Sequence, residues 1–112
     1  MTLDVARMVR LFTEAGAECL VVEQDDSGDR CLVEVTCAER PLHAAIVEFE
    51  RVSPEHRVLY VDIFPRKLAR ETRAGERRFG GFSGQTYRHQ LDGAPEGEAD
   101  EVSSFVLRAL RG

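Results

Sequence analysis

A chain of 112 residues with 43% hydrophobic and 31% charged side chains has the size and composition of one globular domain that can bury its own core. No apolar run is long enough to span a bilayer, and the amino terminus lacks the pattern of a secretory signal, so a cytoplasmic protein is the expectation. The formal charge of −5 argues against nucleic acid as a partner.

In chain order, residues 3–15 (LDVARMVRLFTEA) set Val5, Met8, Val9 and Phe12 at helical spacing, with Arg7, Arg10 and Glu14 outward. Thr2 or Asp4 can cap this helix, and Gly16 suits the position after its end. Two β-branched runs then flank the polar group DDSGD, which predicts a hairpin with strands at 18–24 and 30–37. The register of the first strand stays open, because both of its faces carry apolar residues.

Over 41–52, Leu42, Ala45, Ile46, Phe49 and Val52 fit helical spacing better than alternation. Pro41 at the start and Ser53-Pro54 at the end favour a helix too. Residues 57–64 (RVLYVDIF) read as a strand, 66–75 as a weakly held surface helix, and 85–91 as a further strand. The stretch 98–112 is the best helix, with acids at its start and Arg108 and Arg111 at its end. The expected fold of the single domain, 1–112, is α+β: a four-stranded, mostly antiparallel sheet packed with amphipathic helices, ferredoxin-like or a related α/β sandwich.

Charge is unevenly distributed. Residues 1–63 hold 13 acidic and 6 basic side chains, whereas 64–91 carry Arg66, Lys67, Arg70, Arg73, Arg77, Arg78 and Arg88 against Glu71 and Glu76. That basic region is the expected contact surface for a protein partner or a second copy of the chain.

Motifs for chemistry are absent. Ser83 in GGFSG misses the G-x-S-x-G spacing of a nucleophile elbow. Neither phosphate-loop glycine pattern occurs, although Gly80, Gly81 and Gly84 suit a bulge or an anion nest. His43, His56 and His89 fall on different elements, and Glu34, Glu48, Glu50 and Asp62 show no acid–base spacing. Cys19, Cys31 and Cys37 sit among apolar neighbours and read as buried thiols, without the spacing of a metal site. The expectation is no catalytic residue, no metal and no cofactor.

The stretch CLVEVTCAERPLHAAIVEFERV followed by RVLYVDIF, 31–64, resembles the strand, helix and second strand that open an ACT domain. The resemblance implies a small regulatory domain that often dimerises. It would bind an amino-acid-type ligand at Ala38, Glu39, Arg40, Pro41 and Leu42. Leu42 stands where that family commonly has glycine. If 43–51 is instead a strand, the chain resembles a small acidic secretion chaperone, which binds an unfolded segment of its partner. The functional expectation is a non-catalytic interaction or regulatory module, with a small-molecule sensor second and a secretion-chaperone-like binder or small enzyme third.

Overall fold

The computed structural model describes residues 3–66 and 85–112. Helix α1 (Val5–Glu14) is capped by Asp4, whose carboxylate accepts from the Arg7 amide at 3.0 Å. Gly16 follows its end at φ +83°, the left-handed conformation a glycine adopts without strain. Strands β1 (Ala17–Gln24), β2 (Arg30–Cys37), β3 (His43–Ser53), β4 (His56–Pro65) and β5 (Gln85–Gln90) follow, then a single 3₁₀ turn at Pro95–Gly97 and helix α2 (Glu98–Arg111).

The strands form one antiparallel sheet in the order β1-β2-β3-β4-β5, so β1 and β5 are its edges. The fold is α+β, as the sequence implies, with five strands in place of four. The additional strand is β3, which occupies 43–53 where helical spacing predicts a helix. Ala45, Val47 and Phe49 join the core beneath the helices, while Ala44 and Ile46 are buried on the opposite face. A strand buried on both sides carries apolar residues at adjacent positions, and periodicity cannot separate that run from a helix. Ser53-Pro54, read as a helix stop, belongs to the hairpin joining β3 to β4. The helix on which the ACT-like pattern draws is therefore strand β3.

Both helices lie on one face of the sheet. Met8 and Phe12 of α1 and Ala99, Val102, Val106 and Leu110 of α2 are buried against Val33, Val35, Val47, Phe49, Leu59 and Val61. The two helices are also tied to each other at both ends, and α2 to the turn after β2. Arg7 binds Asp100 at 2.9 Å, and Arg111 donates to Glu39 and to the Ala15 carbonyl, each at 2.7 Å. The expected surface helix at 66–75 lies outside the described residues after Arg66, as do Gly80, Gly81, Ser83 and Gly84.

Candidate functional site

The turn DDSGD closes the β1–β2 hairpin as its composition implies. The Asp25 amide donates to the Arg30 carbonyl, the Gly28 amide donates back to Asp25, both at 3.0 Å, and Gly28 has φ +77°. Along β1, Glu18 lies opposite Thr36, Leu20 opposite Glu34 and Val21 opposite Val33. The register then shifts between Val21 and Glu23, so that Glu23 lies opposite Leu32. Thr36, Glu34 and Leu32 share the sheet face turned away from the helices. The bulge at Val22 thus brings Glu18, Leu20 and Glu23 onto one face, although odd and even positions of a regular strand point apart.

Among the described residues, no strand pairs with the outer edge of β1. Leu20 is 52% exposed and Val21 37%, whereas the apolar residues at the centre of the sheet are buried. Beside this edge runs a groove of about 680 Å³ lined by Glu18, Leu20, Glu34, Thr36 and Arg66 among others. It shares Glu18, Thr36 and Arg66 with a second hollow of about 310 Å³ that reaches Cys37, Ala38 and Pro41. At the hairpin end, a smaller pocket of about 170 Å³ lies among Glu23, Gln24, Asp25, Arg30 and Glu48. Arg30 holds the buried Glu48 carboxylate at 2.9 Å. Glu18, Glu23, Asp25 and Asp26 form no salt bridge among the described residues, although Glu23 feels the charge of Arg30 across the pocket.

The residues expected to bind a ligand divide between framework and groove. Glu39 is taken by Arg111, and Arg40 donates to the Leu110 carbonyl at 3.2 Å, so both anchor the end of α2. Ala38 and Pro41 line the 310 Å³ hollow, and Leu42 is 76% exposed. Of the basic contact residues, Arg66 borders the groove, with its Nε buried and without a hydrogen-bond partner among the described residues. Arg88 is exposed on β5 at the far edge of the sheet. Lys67, Arg70, Arg73, Arg77 and Arg78 lie outside the described residues.

Two polar clusters elsewhere hold the fold together. Glu98, buried at the start of α2, contacts Arg51 and accepts from Arg57 Nη1 at 2.9 Å. Arg57 Nη2 also donates to the Gly93 carbonyl at 2.7 Å. Nearby, His89 lies 2.9 Å from Glu101 and stacks on Phe105, with ring centroids 4.4 Å apart. Among the described residues no group of three or more His, Cys, Asp or Glu side chains is placed to hold a metal ion. Cys19, Cys31 and Cys37 are free thiols, the last two buried. Burial pushes Cys19 up to about 12 and Cys31 up to about 11, so both remain protonated, and weak nucleophiles, at neutral pH.

No protein-family model, curated protein or solved structure matches this chain. No helix among the described residues is long and apolar enough to cross a membrane. Leu20 and Val21 share with Leu42 and Val52 the exposure of large apolar side chains, and only the first two lie on a sheet edge that is unpaired among the described residues. The signal for them in the sequence is ECLVVE, an apolar run bounded by two acids. Nothing in the string itself marks that run as an edge strand or places a bulge inside it.

Proposed function

We propose that this chain is a non-catalytic binding module that takes up an extended segment of a protein partner as an added strand beside β1. One observation carries this reading: an edge strand with no partner among the described residues that exposes Leu20 beside a groove on one face and Val21 on the other. Main-chain groups along such an edge supply affinity for an extended peptide, and the hollows beside it select alternate side chains. The strand at β3 also meets the condition under which the sequence resembles a small acidic secretion chaperone, a class that binds unfolded partner segments. Arg66, from the basic region, borders the same groove.

The reading is tested by selecting binders from a displayed library of random linear peptides. Selected peptides should lose at least about tenfold in affinity toward Leu20→Asp, since the substitution places a desolvated charge at the centre of the contact. Peptides that bind Leu20→Asp and the unaltered chain equally would overturn it.

A further inference from the structure

From the chemistry of the same edge we infer that the segment docking on β1 is a short apolar run bounded on each side by lysine or arginine. This rests on β1 being a docking edge and adds the identity of what docks. The bulge at Val22 sets Glu18 and Glu23 on one face with Leu20 between them, and both acids are exposed and form no salt bridge among the described residues, Arg30 near Glu23 being bound to Glu48. Cys19, Leu20, Val21 and the bulged Val22 fill the interval. A strand laid along this edge therefore meets, in order, an acid, four residues that are apolar or nearly so, and a second acid. Opposite charges facing each other across strands stabilise the pairing, and like charges oppose it. A basic residue at each end of a three- or four-residue apolar core is the complement. The pocket beyond Glu23 is lined by Asp25 and by Glu48, whose charge Arg30 already balances, so a long side chain at that end has room to reach Asp25 as a second carboxylate.

The same charges disfavour a second copy of β1 as the occupant. With the bulge at Val22, an antiparallel pairing that sets Leu20 opposite Leu20 brings Glu18 opposite Glu23 at both ends, two like-charge contacts in one short ladder. Acids flanking an exposed edge are a common guard against self-association, and they leave that edge open to a segment of opposite charge.

Three labelled peptides test this by fluorescence anisotropy: one with the core Lys-Val-Leu-Val-Lys, and counterparts with both lysines replaced by serine or by glutamate. The lysine peptide should bind about tenfold more tightly than the serine peptide, the glutamate peptide should bind least, and added salt should narrow the gap. Glu18→Lys combined with Glu23→Lys should reverse the order. Salt dependence on the unaltered chain keeps the test decisive should that variant fold poorly. Equal binding of the lysine and serine peptides, abolished in both cases by Leu20→Asp, would overturn the charge requirement and leave the docking edge standing. Failure of all three to bind in a Leu20-dependent way would overturn both. A concentration-dependent dimer dispersed by Leu20→Asp would assign the edge to a second copy and overturn the inference.

Discussion

Acidic residues at the two ends of the chain are used in opposite ways. In the first turn of α2, Glu98, Asp100 and Glu101 each face a basic group: Arg51 and Arg57, Arg7, and His89. Along β1 and its hairpin turn, Glu18, Glu23, Asp25 and Asp26 form no salt bridge among the described residues, and Glu23 has only the more distant charge of Arg30, itself bound to Glu48. The first group joins α2 to the sheet and to α1. The second leaves negative potential at an exposed apolar edge, within reach of a docking segment over a Debye length of about 8 Å at physiological salt. A carboxylate's role here follows from what surrounds it, and only the unpaired set is free to recognise something else.

The sharpest way to break the contrast is at Glu98, which is only 1% exposed. Glu98→Gln leaves Arg51 and Arg57 without their shared counter-charge and should cost about 3–5 kcal/mol in denaturant unfolding. A loss well under 1 kcal/mol would mean that the cluster is not holding α2. Next in size is His89→Ala, which removes both the Glu101 contact and the stack on Phe105. It should cost about 1–2 kcal/mol by thermal melting, with α2 retained by circular dichroism.

A smaller, pH-dependent effect is expected at Arg7. Its hydrogen bond and charge hold the Asp100 carboxyl below the usual carboxylate range. A depressed folded-state pKa contributes stability that is complete above the unfolded value, near 3.9, and is lost as pH falls through the folded one. The stability difference between the unaltered chain and Arg7→Ala should therefore be present at pH 7 and fade in acid. A difference that grows on acidification would contradict the pairing. On β1 the expectation is the smallest of all: Glu18→Gln with Glu23→Gln should change stability by no more than about 0.5 kcal/mol while weakening peptide binding. Equal losses of stability and binding would erase the distinction between the two regions.

Much of the framework is legible in the sequence. The stripes of α1 and α2 follow from periodicity and capping because each helix has one wet face and one dry face, the DDSGD hairpin from turn chemistry, and β4 and β5 from composition and length. Strand β3 fails that test for a physical reason: Ala44-Ala45 and Ile46-Val47 are apolar in pairs because both faces of the sheet are buried there. The 38–42 turn attracts attention for its Glu-Arg-Pro sequence, yet Glu39 and Arg40 are engaged with Arg111 and the Leu110 carbonyl, contacts that span most of the chain. Local sequence carries no record of such distant partners. The candidate site was hidden in a different way. ECLVVE reads as an ordinary strand, and its significance depends on its place at the sheet edge and on the bulge at Val22, both set by pairing with β2.

Amide hydrogen exchange, followed with and without the lysine-bounded peptide, addresses the docking edge most directly. Slowed exchange confined to β1 across residues 18–23, with α2 unaffected, is the result this reading of the molecule requires. Bound peptide that protects β5 or the helices and leaves β1 unchanged would contradict it.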